Sequence, residues 1–72
     1  MRLCALRFQN TRDLTRAFDR ILASPDVDSC VVEWEEGRIR FLAPAAGAAA
    51  LAERIYLDGG LLWCSHHEID EA

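Results

Sequence analysis

DSCVVEWEEGRIRFL, residues 28–42, decides the fold. Two apolar-alternating runs meet at Glu36-Gly37, the pattern of a β-hairpin. With Glu36-Gly37 as a two-residue loop, Trp34 faces Ile39 and Val32 faces Phe41 on one side. On the other side Glu35 faces Arg38 and Glu33 faces Arg40. Apolar pairs on one face and opposite charges on the other are what cross-strand contacts favour. A three-residue loop with glycine in a bulge would set Trp34 against Arg38 and Val32 against Arg40 instead. Glutamate is an unusual first residue for a tight primed turn, so local chemistry leans away from the two-residue loop, but the pairing pattern favours it.

Before the hairpin, Arg2–Phe8 alternates as a strand, with Cys4, Leu6 and Phe8 facing one way and Leu3, Ala5 and Arg7 the other. Apolar residues on both sides make it a central strand. Thr11–Ala23 follows as an amphipathic helix: Leu14, Ala17, Phe18, Ile21 and Leu22 recur at the helical spacing. Asn10 suits its N-cap, Asp13 complements its N-terminus, and Ser24-Pro25 stops it.

After the hairpin, Pro44–Leu57 reads as a second helix, ended by Asp58-Gly59-Gly60. Seven of the ten residues 43–52 are alanine, so Leu51 and Ile55 carry most of its packing and it is thinly anchored. Leu61–His67 is the last strand, and residues 68–72 form a short acidic tail expected to fray.

The order is β-α-β-β-α-β in a single domain spanning residues 1–72. Two helices on one face of a four-stranded antiparallel sheet, in the order 4-1-3-2, is the ferredoxin-like arrangement. That layout resembles a fold and carries no family motif: there is no Cys-x-x-Cys loop after the first strand, and Phe8 and Phe41 fall on the helix-covered side. Fold alone therefore supplies no function.

Composition bounds the classes that remain. A chain of 72 residues encloses a marginal core, and eleven of its hydrophobic residues are alanine. All eight basic residues are arginine, a usage that points to a GC-rich bacterial or phage genome. Residues 1–24 carry a net +3 and residues 25–72 a net −7, for a total of −4. That balance argues against direct nucleic-acid binding and is compatible with docking on a basic protein surface. No apolar run reaches the length of a membrane span, and no secretory leader is recognisable, so a cytoplasmic location with reduced thiols is expected.

Three places could carry function. Cys64-Ser65-His66-His67 is the one cluster of metal-capable side chains, but on a strand Cys64 and His66 point one way and His67 the other. Two ligands from one strand fall short of a structural zinc set, so no metal, cofactor or catalytic residue is assigned. A small-molecule or metal site at this strand end stands as the alternative function. Arg12, Arg16 and Arg20 form a stripe along the first helix, read as a solvated face. The open face of the sheet displays Leu3, Ala5, Val31, Leu42, Leu61 and Trp63, rimmed by Arg7, Glu33, Glu35, Arg38 and Arg40. An apolar patch rimmed by charge marks an association surface.

The expected function is therefore non-enzymatic binding or regulation by protein–protein contact. The contact residues are Trp63, Leu3, Val31, Leu42, Glu33, Glu35, Glu36, Arg38 and Arg40. The partner is another protein or a second copy in a homodimer. A narrower version makes the chain a small phage- or bacteria-encoded inhibitor, its acidic hairpin occupying a basic nucleic-acid-binding surface of a larger complex.

Overall fold

Strand β1 (Arg2–Phe8) lies between β3 (Arg38–Ala43) and β4 (Leu61–Glu68), and β2 (Ser29–Glu33) closes the far edge, giving the order β2-β3-β1-β4. All three pairings are antiparallel in this computed structural model, which describes residues 1–69. Helices α1 (Thr11–Leu22) and α2 (Ala45–Asp58) cover one face of the sheet. The fold is the ferredoxin-like α+β arrangement expected from the element order.

The core forms where the inward strand residues meet the helices. Cys4, Leu6 and Phe8 from β1, Ile39 and Phe41 from β3, and Leu14, Ala17 and Ile21 from α1 are all buried. Full burial of a side chain such as Phe41 or Ile39 contributes ~1.5–3 kcal/mol. Leu22 does not join them and is 62% exposed. At 100° per residue it sits about 80° around the helix from Leu14, at the margin of the stripe rather than its centre.

The hairpin register differs from the sequence expectation. Glu33 pairs with Arg38, Val32 with Ile39, Val31 with Arg40 and Cys30 with Phe41. Each residue of β2 is thus displaced by two positions, and Trp34, Glu35, Glu36 and Gly37 form a four-residue turn. A two-residue primed loop would need positive φ at Glu36, and only glycines have positive φ among the described residues. Gly37 takes that conformation at φ +66°, its N–H donating to Trp34 O at 3.2 Å. Gly37 O in turn accepts from Phe8 N–H at 2.8 Å, clipping the turn to the end of β1. Trp34 leaves the strand and packs edge-on against Phe18, ring centroids 5.9 Å apart.

Helix α1 starts as its sequence suggests: Asn10 Oδ1 accepts from Asp13 N–H at 2.9 Å. The arginine stripe has an internal job. Arg16 donates to Asp13 at 2.7 Å and to Asp58 O at 2.9 Å, while Arg20 grips the Asp58 carboxylate with two nitrogens, at 2.6 and 3.0 Å. Two cations thus meet the C-terminal, electronegative end of α2, tying an alanine-rich helix to its neighbour. Arg12 is the outlier, highly exposed and 3.8 Å from Asp13. Gly59 and Gly60, at φ +91° and +83°, then turn the chain into β4.

Strand β4 runs one residue further than expected, to Glu68, whose carboxylate bonds Arg2 at 2.8 Å. Ile69 N–H reaches Met1 O at 2.9 Å, so the chain is still paired there. The remainder of the acidic tail, residues 70–72, lies outside the described residues. Near its start β4 carries a bulge: Arg7 opposes Trp63 but Phe8 opposes Leu61, leaving Leu62 as the extra residue. The bulge turns Leu61 onto the core side, where it packs against the buried cluster. The expectation that Leu61 belongs to the open face is corrected by that single inserted residue.

Candidate functional site

Register and pleat together set the uncovered face of the sheet in three rows. Ser29, Leu42, Leu3 and His67 stand side by side in the first. Val31, Arg40, Ala5 and Ser65 form the second, and Glu33, Arg38, Arg7 and Trp63 the third. Of the residues expected at the association surface, Leu3, Val31, Leu42, Trp63, Glu33, Arg38 and Arg40 are brought together here. Glu35 and Glu36 are not, because the four-residue turn carries them to the exposed hairpin tip. The two-residue displacement leaves every β2 residue on its expected face, since side chains alternate with a period of two.

The arrangement is more basic than the acidic chain suggests. Arg38 donates to Glu33 through two nitrogens, at 2.8 and 2.9 Å, and Arg40 lies 3.4 Å from the same carboxylate. Those contacts hold the Glu33 carboxyl below its ordinary value of 4.5, chiefly through the Arg38 hydrogen bonds. Arg7 stands directly opposite Arg38 and has no ion pair among the described residues. With Arg7, Arg38 and Arg40 against Glu33, the face has a net +2, whereas the whole chain has −4. Apolar groups flank this basic centre: Leu3 and Leu42 on one side, Val31 and Trp63, each 50% exposed, at opposite edges.

At the Trp63 corner the face runs into a cleft of about 780 Å³ beside the hairpin turn. Both tryptophans of the chain, Trp34 and Trp63, line it, together with Leu62, Arg7 and Asn10. Sequence reasoning placed Trp34 within a strand and so did not find this cleft; the glutamate in the turn was the signal against that placement.

Cys64 and His66 form a separate constellation on the helix side of the sheet. The His66 ring sits between two thiols, Nδ1 at 3.2 Å from Cys4 Sγ and Nε2 at 3.3 Å from Cys64 Sγ. A neutral imidazole has one ring N–H and one free nitrogen, so one sulfur accepts and the other thiol donates. Burial pushes the Cys4 thiol from 9.0 up to about 11, and it raises Cys64 and Cys30 as well. Thiols held protonated in this way are poor nucleophiles. His67 projects to the open face beside Leu3, and Glu68 is engaged by Arg2. Among the described residues no group of three His, Cys, Asp or Glu side chains is arranged to hold a metal ion. Among the described residues no helix is long and apolar enough to cross a membrane.

Comparison of the chain with family models, with curated proteins and with solved structures finds no match.

Proposed function

We propose that this chain is a non-enzymatic binding protein that docks its open sheet face onto a protein surface bearing apolar groups and carboxylates. The observation that carries this reading is the face itself. Neither helix covers it; Leu3, Leu42, Val31 and Trp63 sit on it around three arginines and one glutamate. Arginine and tryptophan are the side chains that most often dominate interface energetics. The +2 charge selects the partner, because two copies of this face would oppose like charges, whereas an acidic surface attracts it.

The hairpin tip flanks that contact. Glu35 and Glu36 are exposed there and free to meet cationic groups at the rim, the contact by which an inhibitor would sit on a nucleic-acid-handling complex. Glu33 contributes through Arg38 and Arg40 rather than directly.

Affinity capture from the source cell, run in parallel with wild type, Arg40→Glu and Trp63→Asp, tests the reading. A partner retained by wild type and by the helix-surface variant Arg54→Glu, but lost by both face variants, supports it. A captured set unchanged across all four proteins overturns it. Retention of a single-stranded oligonucleotide by the free protein, abolished by Arg40→Glu, overturns it in favour of nucleic-acid binding. Loss of the partner on reversal of Glu35 and Glu36 assigns the tip to the contact.

A further inference from the structure

Strand β4 is the sheet's outer strand beyond β1, and its outer side can be assigned atom by atom. Ile69 N–H bonds Met1 O, so Met1 and Ile69 form a hydrogen-bonded pair. Antiparallel pairs alternate, which makes Leu3–His67, Ala5–Ser65 and Arg7–Trp63 hydrogen-bonded pairs as well. The backbone N–H and C=O groups of Cys64, His66 and Glu68 therefore point away from the sheet. No strand lies beyond them among the described residues.

Exposed edges are normally blunted by charge, proline or brevity. The opposite edge, β2, has five residues and ends in Glu33, whereas β4 has eight, with no charged residue or proline from Leu61 to His67. Exposed apolar side chains also lie on this strand and at the end of the helix before it. Leu62 is 59% and Trp63 50% exposed, and Tyr56 and Leu57, at 66% and 70%, end the helix that leads into β4.

We propose that two copies of this chain pair antiparallel along β4, about a two-fold axis through Ser65, into one continuous eight-stranded sheet. Two-fold pairing of the stretch 61–68 over seven residues can centre on Cys64 or on Ser65. Centring on Ser65 places Trp63 opposite His67 of the second copy, an aromatic cross-strand pair. It also sets Cys64 opposite the second copy's His66, so the Cys4–His66 contact continues across the seam. The one charged residue, Glu68, meets Leu62 rather than another Glu68 and stays bound to Arg2. Centring on Cys64 leaves Trp63 against serine and pairs Leu61, which belongs to the core, with His67. The edge is self-complementary and its one charge, Glu68, is already paired with Arg2, which identifies the occupant as a second copy. The seam is made by the outer backbone of β4, with Trp63, Ser65 and His67 at the rim of the open face, and not by the arginines at its centre, where like charges oppose self-pairing, so the inference stands without the docking role above.

Light scattering on the purified chain is expected to give twice the 8.1 kDa monomer mass. In the Ser65 register the two Ser65 residues form a non-hydrogen-bonded pair, with Cα atoms ~4.5 Å apart, within disulfide range. Ser65→Cys is therefore expected to become a covalent dimer on mild oxidation, while wild type, whose Cys64 faces histidine, does not. Ser65→Lys sets two ammonium groups against each other and is expected to be monomeric with an unchanged circular dichroism spectrum. Arg40→Glu, in the middle of the open face, is expected to leave the dimer intact. A monomeric wild type at concentrations up to ~1 mM, where pairing weaker than ~4 kcal/mol goes undetected, overturns the proposal. So does a dimer that survives Ser65→Lys and fails to cross-link through Ser65→Cys, or one that Arg40→Glu dissociates.

Discussion

Replacing Gly37 with alanine probes the turn on which the sheet depends. Gly37 sits at φ +66°, where an L side chain crowds its own backbone at a cost of ~1–2 kcal/mol. An added Cβ would also lie 2.8 Å from the carbonyl oxygen of Phe8, a backbone atom in the central strand that cannot swing away. Relief of that contact moves the turn off β1 and strains the 2.8 Å bond from Phe8 N–H to Gly37 O, worth ~0.5–1.5 kcal/mol. Alanine stiffens the unfolded chain, which returns ~0.4–1 kcal/mol. The net loss is ~0.5–3 kcal/mol, out of a total of ~4–11 kcal/mol for a domain of this length. Thermal unfolding followed by circular dichroism should show the midpoint falling by roughly 4–8 °C per kcal/mol. Gly37→Asn separates the contributions, since asparagine tolerates the left-handed region but still carries a Cβ; its loss should be smaller than alanine's yet remain measurable. An alanine variant within ~0.5 kcal/mol of wild type, the range of ordinary surface substitutions, would refute the reasoning.

Glu36→Gly should lower stability by up to ~1 kcal/mol in urea unfolding, because residue 36 has negative φ and gains only unfolded-state freedom; a stabilised variant would restore the two-residue loop. Phe41→Ala should cost ~3–5 kcal/mol, a large share of the total, whereas Leu42→Ala, one residue along on the open face, should cost about 1 kcal/mol or less by the same unfolding curves. Alkaline stability should decline from pH 9.0 towards about 11, because Cys4 ionises at its ordinary value when unfolded but stays protonated in the core; Cys4→Ala flattens that part of a pH–stability profile. Acid should act through Glu33 with the opposite sign: its carboxyl is held low when folded, so its contribution is present above 4.5 and lost as pH falls through the lowered folded value, and Glu33→Gln should remove that slope.

Element identity was legible in the chain because each element repeats a simple period. Alternation through Cys4, Leu6 and Phe8, and helical spacing through Leu14, Ala17 and Ile21, select the buried sides, and all six are buried. The hairpin register was not legible from the same pattern. Shifting β2 by two residues keeps Val32 inside and Val31 and Glu33 outside, so apolar alternation and charge pairing are satisfied either way. The glutamate at position 36 spoke against the tight turn, and that local objection outweighs the pairing pattern.

The surface divides in the same manner. Which residues of β2 and β3 face solvent follows from alternation, so most of the candidate contact set stands together. Glu35 and Glu36 leave it because turn length is a backbone property. Leu61 leaves it because a bulge reverses the alternation at one residue. Three further features need the third dimension. Arg16 and Arg20 close on the end of α2, 38 or more residues away in the chain, where a helical stripe alone suggested solvent. His66 fits between Cys4 and Cys64 because β1 and β4 are neighbours in this register. Arg7, Arg38 and Arg40 converge from two strands, making a basic face on an acidic protein.

By itself, then, the sequence determined the six elements, their inward sides except at Leu22, Trp34 and Leu61, and the strand order, since periodicity, capping residues and crossover handedness act locally or by general rule. Only the tertiary structure decided which charges meet, which cysteines share a histidine and where the tryptophans gather. Those outcomes depend on register, bulge and turn length, and a displacement of one or two residues, invisible to the hydrophobic pattern, moves a side chain by ~3–7 Å along its neighbour.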